Sequence, residues 1–211
     1  MAPAGCDMVA HTAQKRSTAR PLGWLGRQWL LHWSAPREER VIHRFVVRAI
    51  RQRPAQFRIL ELGIGGLRRS ERLLRLAAGL GAKGCLNYVG IDRFEGRLES
   101  DPPGVTLKDA FRTLNRLGRV QLVPGNVDTT LSRLCNHLGF FDLILVSSDA
   151  DSRHVERSWF FIHRLVRPGS TVMVETEAGR QGAGSLAREW RTISSATLGE
   201  LAGRAVSRQV A

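Results

Sequence analysis

Residues 58–66, Arg58-Ile59-Leu60-Glu61-Leu62-Gly63-Ile64-Gly65-Gly66, run from an apolar strand-like stretch straight into a glycine turn. A helical stretch follows, and then Leu86-Asn87-Tyr88-Val89-Gly90-Ile91-Asp92, a second apolar run that ends on a carboxylate. Strand, glycine turn, helix, strand and acid is the order in which a doubly wound α/β sheet presents an adenosine-like ligand to the carboxyl ends of its strands. The glycines let the backbone approach a ligand without side-chain obstruction. The terminal Asp92 can accept hydrogen bonds from both hydroxyls of a ribose.

The dinucleotide fingerprint asks for a further glycine at position 68, which is Arg68 here. A pyrophosphate needs the bare N-terminus of the helix, whereas a ligand without phosphate does not. A nicotinamide dehydrogenase is therefore disfavoured.

Outward from this stretch, strand and helix alternate. The pattern predicts strands at 58–62, 86–91, 119–123, 141–146 and 171–175, with helices near 68–80, 106–117, 127–138 and 152–166. Strands such as Leu143-Ile144-Leu145-Val146 are apolar throughout, which implies burial on both faces and a mostly parallel sheet covered by helices. A glycine-rich loop is expected at 178–184, then a strand from Glu189 to Ile193 and a helix capped near Ser194 or Ser195. Residues 1–20 lack periodicity and are expected to be disordered. Residues 21–56 form a predicted helical extension, with Leu25, Trp29 and Trp33 on one stripe and Val41, Phe45, Val46 and Ile50 on another. That divides the chain into 1–20, an extension at 21–56, and a domain at 57–211.

The motifs in order resemble a class I S-adenosylmethionine-dependent methyltransferase. They are Glu61-Leu-Gly-Ile-Gly-Gly66, Gly90-Ile-Asp92, Val123-Pro-Gly-Asn126, Phe141-Asp-Leu-Ile-Leu145 and Leu165-Val-Arg-Pro-Gly-Ser170, spread over more than half of the chain. The resemblance implies a Rossmann-like methyltransferase fold and S-adenosylmethionine as cofactor. It puts Glu61 under the methionine end of the ligand and the backbone of Gly63, Gly65 and Gly66 close to it. Asp92 would bind the ribose, Asn126 would reach the adenine amino group, and Val127 would lie close by. The closing strand pair of the full fold is not evident in the sequence.

Ser148-Asp149-Ala150-Asp151 is similar to a stretch of catechol-type O-methyltransferases whose first acid helps hold Mg²⁺. The Lys that follows it in that family is Ser152 here, and the later Asp-Asn pair is Glu175-Thr176. No metal is therefore expected. Asp149 or Asp151 is expected to cap the helix that begins near Ser152, and Asp149 is the candidate catalytic base. His154 and His163 are expected to be surface or packing residues. The motif of amino-methylating enzymes that act on DNA adenine is absent.

The 211 residues carry 32 basic and 19 acidic side chains, a net charge of +13. All but Lys15, Lys83 and Lys108 of the basic residues are Arg, a bias of the kind that codon composition produces. The charge is compatible with a nucleic-acid partner, and the predicted second helix carries Arg40, Arg44, Arg48 and Arg51. Cys6, Cys85 and Cys135 are odd in number and widely spaced, which points to a reducing compartment. Neither a membrane-spanning run nor a secretory signal is visible, so the cytoplasm is the expected location. The function expected is methyl transfer to an unidentified O or N acceptor. The alternative is a non-catalytic binding protein of the same fold, associated with RNA. The acceptor and the oligomeric state are not legible.

Overall fold

The computed structural model describes residues 36–52, 56–99, 101, 103–181 and 185–210. The expectations for residues 1–20 and for the Trp-bearing stripe fall outside these.

Six strands form one sheet in the order β3-β2-β1-β4-β5-β6. They are β1 (Phe57–Leu62), β2 (Leu86–Asp92), β3 (Arg119–Pro124), β4 (Leu143–Val146), β5 (Thr171–Gln181) and β6 (Ser185–Ile193). The first five are parallel. The sixth runs antiparallel to β5, with Val172 opposite Ile193 and Gln181 opposite Ser185. The helices are α1 (Arg40–Gln52), α2 (Arg68–Gly79), α3 (Leu107–Leu114), α4 (Val127–Leu138), α5 (Ser152–Arg164) and α6 (Ser195–Val210).

Each strand residue sends its side chain to the face opposite its neighbour's. Ile59, Tyr88, Leu143, Leu145 and Met173 thus meet α1, α2 and α3 on one face, while Leu60, Leu62, Val89, Ile91 and Ile144 meet α4, α5 and α6 on the other. Two cores, one per face, are what a doubly wound sheet requires. The order reverses between β1 and β4. A crevice opens there at the carboxyl ends of the strands, where such folds bind ligands.

The C-terminal part differs from expectation. The segment predicted as a loop continues β5 to Gln181, and β6 begins at Ser185 rather than near Glu189. A register shift between Ala178 and Arg180 sits beside Gly179, the kind of irregularity that glycine permits in a strand. The strand expected from Glu189 to Ile193 is therefore present, antiparallel to β5 and longer than expected. Asp151 is the N-cap of α5 and accepts from the Arg153 N–H at 2.9 Å, as the capping expectation required. Ser194 accepts from the Thr197 N–H at 3.1 Å at the start of α6. Among the described residues, no helix is long and apolar enough to cross a membrane.

Candidate functional site

A cleft of about 290 Å³ opens at the carboxyl ends of β1, β2 and β3. Gly63, Asp92, Asn126, Val127 and Asp149 all line it, although they come from four separate segments of the chain. Gly63 and Gly65 have φ of 82° and 61°, left-handed values that suit glycine. The turn is crossed by the loop after β4. A Cβ at Gly63 would lie 2.9 Å from the Ala150 Cβ, and one at Gly65 would lie 2.8 Å from the Asp149 Cγ. Gly66 is exposed and meets nothing at this range.

Glu61 lies elsewhere. Alternation along β1 sends it to the face covered by α2, so its carboxylate is fully buried beneath the turn and does not line the cleft. There it accepts from Arg69 Nε at 2.7 Å, Ser70 Oγ at 2.9 Å and Tyr88 Oη at 2.6 Å. Arg69 also donates to the Gly63 carbonyl at 3.1 Å, stacks 4.9 Å from the centre of the Trp190 ring, and lies 3.5 Å from Glu175. Burial first, and then the Glu61 charge, push the Tyr88 hydroxyl well above its ordinary pKa.

Asp92 sits at the end of β2 as expected, and every acceptor position on it is used. Its Oδ1 accepts from the Phe94 N–H at 2.9 Å and its Oδ2 from the Gly65 N–H at 2.9 Å. Arg97 Nη2 reaches both oxygens, at 2.8 and 2.6 Å. Phe94 adopts φ 49°, an uncommon conformation for a bulky residue, and its N–H bond to Asp92 accompanies it. Arg93 spans the cleft. Its Nε donates to Asn126 Oδ1 at 2.7 Å, its Nη1 to Asp101 at 2.8 Å and its Nη2 to Asp151 at 3.0 Å. Sequence reasoning missed both arginines. The available signal was their position, immediately after a strand-terminal acid and five residues beyond it.

His154, expected to be a surface or packing residue, is on the cleft wall with Nδ1 2.9 Å from Asp128. Asp149 is partly buried and lies 3.6 Å from Arg188 on β6.

A divalent ion in the catechol-type arrangement would use Asp149 together with Glu175 and Thr176. Glu175 is committed inward. Its Oε2 accepts from Ser147 Oγ at 2.9 Å, the Ser148 N–H at 3.0 Å and Ser148 Oγ at 2.9 Å. Burial pushes this carboxyl up, but Arg69 and the hydrogen bonds from Ser148 and Ser147 outweigh that and hold it below its ordinary value. These residues do not fit a metal, because the serine donors and the Arg69 guanidinium all engage Glu175 through Oε2, away from the cleft that Asp149 lines.

No protein-family model matches the chain, and no curated protein does. Solved structures do. CalS11, a TDP-rhamnose 3′-O-methyltransferase of calicheamicin biosynthesis, superimposes with a TM-score of 0.50 at 18% identity, over 77% of this chain and 89% of that one. This chain has the Rossmann-like fold of the S-adenosylmethionine-dependent methyltransferases. A methyltransferase from Agrobacterium tumefaciens matches over 70% of this chain at 10% identity and a TM-score of 0.48. MycE of mycinamycin biosynthesis, solved with Mg, S-adenosylhomocysteine and mycinamycin VI, matches over 67% at 19% identity and a TM-score of 0.44. The chain spans 47% of the Agrobacterium enzyme and 35% of MycE.

Proposed function

We propose that the cleft binds S-adenosylmethionine and that the protein transfers its methyl group to an oxygen or nitrogen acceptor. The observation that carries this is the convergence of Gly63, Asp92, Asn126 and Val127 on one cleft at the strand-order reversal. The cofactor supplies an electrophilic methyl on a sulfonium. The chain's part is to bind, orient and exclude water, which is how in-line displacement is mainly accelerated. Asp92 would take the ribose hydroxyls, and Asn126, fixed by Arg93, would face the adenine edge. Val127, 5% exposed, offers an apolar surface beside it. Asp149, which lines the cleft on the loop over the glycine turn, would accept a proton from the acceptor.

Calorimetry and thermal shift with S-adenosylhomocysteine test the cofactor assignment. Saturable binding that Asp92→Ala abolishes supports it, and no response from the wild-type protein ends it.

A second role rests on α1, where Arg44, Arg48 and Arg51 are all exposed. A non-catalytic protein associated with RNA would use such a face. Its affinity would fall steeply with salt, and salt-insensitive binding would exclude the electrostatic form of this role.

A further inference from the structure

A carboxylate offers about four acceptor positions, and on Asp92 all four are occupied by the chain itself. Two of the donors are backbone N–H groups that belong to the fold. Gly65 is part of the glycine turn, and Phe94 is held at positive φ directly after the strand. Neither can leave without dismantling the site. The other two positions are taken by one side-chain nitrogen, Arg97 Nη2, and a side chain can rotate away. A ribose offers two hydroxyl donors and needs the same two positions.

We propose that Arg97 is a specificity-determining residue that competes with the ligand for Asp92, so that only a ligand presenting two adjacent hydroxyls displaces it. This rests on the cofactor assignment above and adds to it the residue that sets the threshold for binding. The exchange is one donor for one donor at each carboxylate oxygen, but it replaces a cation by neutral hydroxyls at a site where Asp92 is 5% exposed. A hydroxyl bond to a carboxylate is itself charge-assisted, so two hydroxyls can stand in for the two positions that Arg97 holds. A ligand with one hydroxyl leaves one position on a buried carboxylate unpaired and cannot match what it displaces.

The Arg97 side chain is 12% exposed, and its way out is toward the exposed segment that follows it. Arg97 follows the short helix Phe94–Gly96, and the next residue, Leu98, is 64% exposed. Its backbone N–H is held by the Phe94 carbonyl at 3.3 Å, so the side chain can swing while the main chain stays. Asp101 lies close enough to feel its charge. The Leu98 N–H first, and then Arg93 and Arg97, hold the Asp101 carboxyl below its ordinary pKa. Gly104 shapes the closed position. A Cβ there would fall 2.7 Å from Arg97 Cδ and 2.9 Å from its Cζ, and Gly104 has no positive φ that would itself forbid a side chain. Gly104→Ala therefore pushes Arg97 off Asp92 without removing any charge.

The test is binding of S-adenosylhomocysteine, adenosine and 2′-deoxyadenosine to the wild-type protein, Arg97→Gln and Gly104→Ala, by calorimetry. Both variants are expected to bind the two ribose-bearing ligands about 10-fold more tightly, because the fraction of protein with Asp92 available rises. Both should also narrow the gap between adenosine and its 2′-deoxy analogue, a change that a merely structural role of Arg97 would not produce. If Arg97→Gln does not fold, Gly104→Ala carries the comparison alone. Wild-type binding that both variants leave unchanged or weaken overturns the role of Arg97 and spares the cofactor assignment. No binding of any ligand to any of the three proteins overturns both.

Discussion

Arg69 Nε lies 2.7 Å from Glu61 Oε1, and the two side chains are 8% and 0% exposed. The pair joins β1 to the first turn of α2, and through Arg69 it also reaches Glu175 on β5 and the Trp190 ring on β6. Breaking a buried pair from one side leaves an uncompensated charge, which costs more than the pair contributes. Arg69→Met should therefore destabilise the protein by about 3–5 kcal/mol in urea unfolding. The double variant Glu61→Gln/Arg69→Met should lose less than the sum of the two single changes. A loss below about 1 kcal/mol for Arg69→Met would mean that the pair is effectively solvated.

His43 is 1% exposed in α1, and neither ring nitrogen has a hydrogen-bond partner among the described residues. Burial first, and then the nearby Arg72 charge, lower its pKa to about 4 from the ordinary 6.5. Because the folded pKa is depressed, the unfolded chain takes up the proton first as pH falls. Stability is thus fully present above pH 6.5 and declines until the folded pKa near 4 is passed. The expected loss from this residue between pH 7.5 and 4.5 is about 2–3 kcal/mol. His43→Leu should remove that part of the acid sensitivity while keeping the helix packed. Equal urea midpoints against pH for the two proteins would refute it.

The parallel core was legible because its strands are apolar on both faces and its helices repeat at 3.6 residues. The positions of Asp92 and Asn126 followed from where strands end. What the sequence concealed is which neighbours these residues would find. Arg93 and Arg97 read as two more arginines in an Arg-rich chain, and only the fold turns one toward Asn126 and the other onto Asp92. Glu61 illustrates the same limit. Motif order placed it under the ligand, while strand alternation aims it at Arg69, Ser70 and Tyr88. The extension of β5 and β6 beyond the predicted 171–175 and 189–193 was missed because Gly179 reads as a loop signal, although a strand tolerates it at a register shift.

The three glycines of the turn should differ sharply when changed to alanine. At Gly63 the backbone has φ 82°, and the new Cβ would lie 2.9 Å from the Ala150 Cβ. At Gly65 φ is 61° and the neighbour is Asp149. Gly66 has open space and no positive φ. Strained left-handed residues cost about 1–3 kcal/mol before any clash is added. Gly63→Ala and Gly65→Ala should therefore lower the thermal midpoint and weaken S-adenosylhomocysteine binding. Gly66→Ala should be neutral or slightly stabilising, since it restricts the unfolded chain. Equal effects at all three positions would show that the loop after β4 does not rest on the turn.

Arg93 braces the side of the cleft proposed to meet adenine through three partners on three segments, Asn126, Asp101 and Asp151. Asn126 makes no side-chain bond to the N-terminus of α4, so its orientation depends on Arg93 rather than on helix capping. Removing the guanidinium frees the amide to rotate and leaves the Asp101 and Asp151 carboxylates without their shared counter-charge. Arg93→Leu should therefore weaken S-adenosylhomocysteine binding by about 10-fold, worth about 1.4 kcal/mol. It should also lower the thermal midpoint, since Arg93 and Asp101 are part-buried at 17% and 21% exposed and removing one partner leaves the other charge uncompensated. Asn126→Ala should produce a similar loss of affinity. The double variant should be no weaker than either single one, because both remove the same contact. Additive losses in that cycle would mean that Arg93 meets the ligand directly and not through Asn126.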